Sequence, residues 1–83
     1  MRPNNADTLD SRGFAYLRLG AFDKAIADFD AALRLNPGLA NSLYGRGVAK
    51  IKKGEQTSGN TDLVAARAIK SDVADDFAKF GVK

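Results

Sequence analysis

Residues 13–37 read GFAYLRLGAFDKAIADFDAALRLNP, and this stretch decides the fold. Its apolar residues recur every three or four positions, which is the spacing of one face of an α-helix. Glycine tolerates the left-handed conformation that closes a helix, and proline cannot continue the helical hydrogen bonds. The stretch therefore predicts a helix over about 21–35 that ends before Pro37, preceded by a helix over about 6–19 that Gly20 ends. Two helices joined by so short a turn pack antiparallel.

The same pattern returns 34 residues later in the chain. Identical residues meet at that offset: Pro3/Pro37, Leu9/Leu43, Arg12/Arg46, Gly13/Gly47, Gly20/Gly54, Asp28/Asp62 and Ala32/Ala66. A third helix is predicted from Leu39 or Ala40 to Lys53, and a fourth to about Lys70. The fourth helix should start late or be frayed, because residues 55–60 are polar and include a glycine. The candidate N-caps for that start are Thr57, Ser58 and Asn60.

A last amphipathic segment follows the second unit. Residues 72–80 place Val73, Phe77 and Phe80 on one face, which predicts a short helix closing the open side of that unit. A period of about 20 to 50 residues indicates stacked supersecondary units, and about 34 is a helix-turn-helix spacing. The sequence therefore predicts an all-α single domain over 1–83 with about five helices.

The composition removes most catalytic chemistries. The chain has no cysteine and no histidine, so thiolate and imidazole metal sites and the commonest general base are absent. We predict no enzyme activity, no cofactor and no metal. An enzyme built on the carboxylate pairs Asp28/Asp62 or Asp75/Asp76 is disfavoured, because helical acids without such partners are usually solvated.

The charge balance is only mildly basic, with 13 basic and 10 acidic residues and a formal net charge of +3. The cluster of lysines near residue 52 suits a helix end, where cations complement the helix dipole. Weak nucleic-acid binding stays as a disfavoured alternative, through Arg46, Lys50, Lys52 and Lys53. The sequence has no apolar run long enough for a membrane span or a signal peptide, so we predict a soluble protein, with the cytoplasm as the default compartment.

The first unit resembles a tetratricopeptide repeat. The residues that carry this resemblance are Gly13, Tyr16, Gly20, Phe22, Ala25, Phe29, Ala32 and Pro37. The second unit is similar but departs from the pattern, with Lys50 for Tyr16, Gln56 for Phe22, Gly59 for Ala25 and Ser71 for Pro37. The resemblance implies a right-handed α-solenoid of antiparallel helix pairs. Repeat one would span about 6–39, repeat two about 40–70 and a capping helix about 72–80, as the C-terminal part of a longer repeat array.

The resemblance also implies a non-enzymatic scaffold that binds a peptide or helix of another protein. In this family the first helix of each repeat lines a concave groove, which places the groove here on Asp10, Phe14, Leu17, Arg18, Asn41, Tyr44, Val48, Ile51 and Lys52. Two alternatives stay open. Phe14, Leu17 and Val48 could be core between the repeats, and Tyr44 could be plain packing. Specificity for a chaperone tail is disfavoured, because Asp10 and Phe14 stand where the family's clamp has lysine and asparagine.

Self-association is an alternative to the scaffold function. Two repeats are near the lower limit of stability for such arrays, so the N-terminal repeat could leave an apolar flank uncovered. The chain would then be a self-associating structural or capping module, forming a homodimer through that exposed face without a separate ligand.

Overall fold

The computed structural model describes residues 5–73, and in that range the chain forms four α-helices and no strand. They are α1 (Ala6–Leu19), α2 (Phe22–Leu35), α3 (Ala40–Lys53) and α4 (Gln56–Ile69). Each helix has 14 residues, and α3 and α4 begin 34 residues after α1 and α2. The all-helical class is confirmed. The fifth helix predicted over 72–80 lies almost entirely outside the described residues.

Local signals set the start of α1 and the ends of α1 and α3, and the stops at Gly20 and Gly54 are the predicted ones. Asn5 caps α1, since its Oδ1 accepts hydrogen bonds from the backbone N–H groups of Asp7 (2.8 Å) and Thr8 (3.3 Å). Gly20 and Gly54 adopt left-handed φ angles of 80° and 103° and close α1 and α3. A residue with a side chain would be strained at either position.

The prediction of a late start for α4 was wrong. The helix begins at Gln56, the position equivalent to Phe22 at the start of α2, and its N-cap is Glu55 without a side-chain hydrogen bond. The candidate caps Thr57, Ser58 and Asn60 all lie inside the helix. Tertiary packing overrides the weak local propensity here, because the backbone at Gly59 is buried against α3.

The helices pack as two antiparallel pairs. In the first pair the Lys24 ammonium near the start of α2 lies over the Tyr16 ring near the end of α1, 5.7 Å from its centroid. In the second pair Lys50 near the end of α3 meets Ser58 near the start of α4. Helix α2 contacts both α1 and α3, α4 contacts α3, and α1 also contacts α3. Within the described range α1 and α3 therefore share one layer, and α2 lies against both of them.

Phe29 is the centre of the first core cluster. Its side chain is fully buried and meets Phe14 edge-on, with ring centroids 5.5 Å apart and an interplanar angle of 82°. The ring lies directly against two glycines, so that a Cβ on Gly13 of α1 would be 2.7 Å from Phe29 Cε1 and one on Gly45 of α3 would also clash. These glycines let one aromatic ring join three helices.

A second apolar core cluster lies apart from the one around Phe29. It contains Leu33, Ala40, Leu43, Ala66 and Val73. Val73, the first apolar residue of the predicted closing segment, is fully buried. The chain after α4 therefore packs back onto the second helix pair at this residue.

The crossing of α3 and α4 gives the first testable prediction. Gly59→Ala should lower the free energy of unfolding by about 1 to 2 kcal/mol, since overpacking outweighs the gain in helix propensity. A Cβ at Gly59 would lie 2.6 Å from the carbonyl oxygen of Gly47, which cannot move aside as a flexible side chain could. Urea unfolding measures the difference.

The control for this substitution is Gly38→Ala in the turn between α2 and α3. A Cβ there would meet only Asn36 Oδ1 at 3.6 Å. The free energy of unfolding of this variant should be higher by about 0.4 to 1 kcal/mol, because alanine has fewer backbone conformations than glycine in the unfolded chain. A higher free energy of unfolding for Gly59→Ala would contradict the close approach of α3 and α4 at this residue.

Candidate protein-binding surface

The surface predicted to bind a partner lies on α1 and α3. We call it the α1–α3 face and define it by the nine predicted positions: Asp10, Phe14, Leu17, Arg18, Asn41, Tyr44, Val48, Ile51 and Lys52. The 34-residue period places eight of these positions in four pairs, for example Arg18 with Lys52 and Leu17 with Ile51. Since α1 and α3 share a layer, the structure brings both halves of the set into one layer.

Three of the nine positions are core residues. Phe14, Leu17 and Val48 expose only 7%, 4% and 9% of their surface and belong to the cluster around Phe29. Their burial fits the alternative that these three residues are core between the repeats. The predicted apolar centre of the groove is therefore reduced to two partly exposed side chains.

Those two side chains are Tyr44 and Ile51, both half-buried on α3. Tyr44 packs against both core clusters and so lies at the junction of the two helix pairs. Ile51 approaches α4, where its Cγ1 lies close to Gly59. Each leaves part of an apolar surface open, which a partner could cover without unfolding the core.

The polar end of the face lies at the starts of the helices. Ser42 donates a hydrogen bond from Oγ to Asp10 Oδ1, which joins α3 to α1. Burial raises the pKa of Asp10 above its ordinary value, and the hydrogen bond from Ser42 only partly opposes this. Asn41 Oδ1 is buried and has no hydrogen-bond partner among residues 5–73. Asp7, Asp10 and Asn41 line a depression here that also touches Ile69 and Lys70.

The cationic end of the face lies where the helices finish. Arg18 and Lys52 are both exposed, and they occupy equivalent positions 34 residues apart. No ion pair with an acid is found for either residue within the described part of the chain. The face therefore runs from carboxylates at one end to two cations at the other.

A ladder of arginine–aspartate pairs crosses the helices on another side. Arg12 Nε and Nη2 bind Asp28 at 2.7 and 2.9 Å. Arg46 repeats this contact with Asp62 at 2.8 and 2.9 Å, and its Nη1 also binds Asp30 of α2 at 2.7 Å. The 34-residue offset matches Arg12 with Arg46 and Asp28 with Asp62, but by itself it does not pair an arginine with an aspartate. Their equal 16-residue separation was the signal that could have shown them as pairs.

The hydrogen bonds of this ladder shift the pKa values of Arg46 and Asp62. The hydrogen bond to Asp62 raises the pKa of Arg46 despite partial burial. Burial raises the pKa of the Asp62 carboxyl, but the hydrogen bonds from Arg46 and Lys50 outweigh it, so its pKa lies below the ordinary value. Arg46 and Asp62 are therefore both charged at neutral pH.

A model of the tetratricopeptide repeat family matches residues 6–39, the span of α1, α2 and the turn that follows. Residues 6–39 are a tetratricopeptide repeat. The pair α3–α4 reproduces its helix lengths, its glycine stops and its arginine–aspartate contact at the 34-residue offset. Tetratricopeptide repeats generally mediate protein–protein interactions and are typically non-enzymatic.

Two curated proteins with tetratricopeptide repeats are similar to the chain. Human tetratricopeptide repeat protein 13 is 36% identical over 62 residues, covering 72% of this chain and 7% of that protein. The tetratricopeptide repeat and J domain-containing co-chaperone DNJ1 of Cryptococcus neoformans is 36% identical over 61 residues, covering 74% and 12%. The chain thus spans about an eighth or less of these relatives. No solved structure gives a significant match.

The ion pairs between the four helices bear on the two disfavoured functions. Of the four residues considered for nucleic-acid binding, Arg46, Lys50 and Lys53 are already paired with acids: Lys50 with Asp62 at 3.0 Å, and Lys53 with Asp23 at 2.7 Å. A phosphate would have to displace those carboxylates. The carboxylates considered for catalysis, Asp28 and Asp62, are held by the same pairs. Asp75 and Asp76 lie outside the described residues.

No group of three or more acidic, histidine or cysteine side chains in residues 5–73 is placed to hold a metal ion. None of the helices described is both long and apolar enough to cross a membrane.

Proposed function

We infer that the chain binds a segment of another protein on the α1–α3 face. The observation that carries this proposal is that Arg18 and Lys52 are exposed and have no ion pair within residues 5–73, on a face that also carries the half-buried Ile51 and Tyr44. Apolar contact would supply affinity, and the charges would orient the segment. The expected ligand is a short helix or extended peptide with an apolar residue followed or preceded by acids.

The proposed organisation follows the same repeats. The chain forms one domain with repeat one at about 6–39, repeat two at about 40–70 and a capping helix at about 72–80. The two helix pairs would continue the right-handed α-solenoid of a longer array. The shared α1/α3 layer and the burial of Val73 support this arrangement.

Binding can be tested without knowing the natural partner. A random-peptide display library is selected on the unaltered chain, and the affinity of the enriched peptides is measured by fluorescence anisotropy. Arg18→Glu with Lys52→Glu should weaken binding at least about tenfold, a loss of about 1.4 kcal/mol, because it reverses the charge that meets the acids. Both side chains are exposed, so the fold should be retained.

The matched control reverses two arginines elsewhere. Arg34 on α2 and Arg67 on α4 are exposed, and Arg34→Glu with Arg67→Glu makes the same change in net charge off the α1–α3 face. This control should bind the peptides within about twofold of the unaltered chain, once ionic strength is near physiological. Equal losses in both double variants would show only a net-charge effect and would refute the α1–α3 face as the site.

A further inference from the structure

The contact between the starts of α1 and α3 contains a carboxylate without a counter-charge. Asp10 on α1 is half-buried and accepts a hydrogen bond from Oγ of Ser42 on α3, a residue that is fully buried. None of the ion pairs found within residues 5–73 includes Asp10. A carboxylate that loses water and gains no cation is destabilised in its charged form.

A hydrogen-bond acceptor without a donor lies beside this carboxylate. Asn41, the residue before Ser42, lines the same depression as Asp10, and its buried Oδ1 has no hydrogen-bond partner among residues 5–73. An ionised carboxylate can only accept hydrogen bonds, whereas a protonated carboxyl group has an O–H that donates. Because an unpaired buried acceptor is costly, this arrangement favours the form of Asp10 that can donate.

The charged groups around Asp10 do not supply the missing cation. Asp7, one turn earlier on α1, adds like-charge repulsion, and Lys70 after α4 lines the depression without forming an ion pair with Asp10. Burial therefore raises the pKa of Asp10, the hydrogen bond from Ser42 opposes this in part, and Asp7 adds to it.

The other charged side chains of the helices packed here are engaged elsewhere or point away from the depression. They are Arg46 of α3, which binds Asp30 and Asp62; Arg12 and Asp28, which bind each other; and Arg34 of α2, which is exposed and does not line the depression. A proton is thus the available means of neutralising Asp10 within the described part of the chain.

We propose that Asp10 is a proton-dependent link between α1 and α3. When it takes up a proton from solvent, its O–H donates a hydrogen bond to Asn41 Oδ1 while its other oxygen still accepts from Ser42. The two helices, which belong to different helix pairs, are then joined by two hydrogen bonds at their starts, where the ionised form supplies one. The link lies at the polar end of the α1–α3 face and requires no bound partner.

The effect on stability has the opposite sign to that of Asp62. The folded chain holds the pKa of Asp10 above its ordinary value of 3.8, so between the two values it binds more protons than the unfolded chain. The contribution of Asp10 is therefore complete below the ordinary value and is lost as pH rises through the raised pKa. Mild acid should strengthen the contact between α1 and α3 at this end.

The first test measures the carboxyl group in the unaltered chain. Carbon-13 NMR follows the Cγ shift of Asp10 and the side-chain carbonyl shift of Asn41 as pH is lowered from about 7 to about 3. The midpoint for Asp10 should lie above the ordinary 3.8, and the Asn41 carbonyl should change with the same midpoint because its oxygen gains a hydrogen bond. An Asp10 midpoint at or below 3.8, or an Asn41 shift that does not follow it, would overturn the proposal.

Two variants separate the donor from the acceptor. Ser42→Ala removes the donor that favours the charged carboxylate, so the midpoint of Asp10 should rise. Asn41→Ala removes the acceptor that favours the protonated carboxyl group, so the midpoint should fall. A rise in Asn41→Ala would mean that the amide faces Asp10 with its Nδ2 donor, and the proposed link would then be wrong.

Asp10→Asn provides the stability measurement, because an amide has both an acceptor for Ser42 and a donor for Asn41 without a proton. At neutral pH it should lower the unfolding equilibrium constant about two- to tenfold, the effect of one buried hydrogen bond, and this advantage should shrink in acid.

The control for this measurement is Glu55→Gln, the same change from acid to amide at an exposed position between α3 and α4. It should alter the unfolding equilibrium constant by no more than about twofold. An Asp10→Asn variant that is less stable than the unaltered chain at neutral pH would contradict the proton-dependent link.

Discussion

Phe29→Ala should lower the free energy of unfolding by about 3 to 5 kcal/mol. The ring is fully buried, meets Phe14 edge-on and fills the space that Gly13 and Gly45 leave open. Those glycines have no side chains that could move into the cavity. The total stability of a chain of 83 residues is roughly 4 to 12 kcal/mol, so the substitution removes a large part of it.

Urea unfolding followed by circular dichroism measures this loss. The control is Leu19→Ala, which truncates a large apolar residue that is 78% exposed at the end of α1. It should change the free energy of unfolding by no more than about 0.5 kcal/mol. Similar losses in both variants would contradict the central place of Phe29.

Arg46→Gln should lower the free energy of unfolding by about 2 to 4 kcal/mol, because it removes the main ion-pair partner of the buried Asp62 carboxylate. Arg46 joins three helices through its bonds to Asp30 on α2 and Asp62 on α4. Lys50 still reaches Asp62 at 3.0 Å, which keeps the cost below that of a fully unpaired buried charge. Arg67→Gln on the exposed side of α4 is the control and should be near neutral.

The cost of Arg46→Gln should depend on pH. The folded chain holds the pKa of Asp62 below its ordinary value of 3.8, so the unfolded chain binds more protons in that range and stability rises with pH there. The contribution of Asp62 is complete above about pH 4 and is lost as pH falls through the lower folded pKa. The difference between the two proteins should therefore be full at neutral pH and shrink in acid. A difference that is unchanged down to about pH 2 would contradict the ion pair as its cause.

Helix positions could be predicted because their signals are local. Gly20 and Gly54 end helices by their own backbone freedom, and Pro37 does so by its missing N–H, whatever packs around them. The start of α4 could not be predicted by the same reasoning. Gly59 looked like a weak point in a helix, but it is the place where α4 touches the backbone of α3.

The sequence predicted which positions make up the α1–α3 face, but not which of them are buried. Periodicity puts Phe14, Leu17 and Val48 on the same helix faces as Arg18 and Lys52, but it does not say which neighbour covers them. Their burial follows from how closely α1, α2 and α3 approach around Phe29. The Arg46 contacts to Asp30 and Asp62 likewise needed three helices in place before they could be seen.

The sequence alone determined a repeated pair of helices, the bounds of the first three helices and the resemblance to a tetratricopeptide repeat, since period, stops and apolar spacing are properties of neighbouring residues. Only the tertiary structure decided that Gly59 contacts α3, that three of the nine expected groove residues are core, and that Arg46 joins α2 and α4. These depend on distances between helices, which residues far apart in the chain set together.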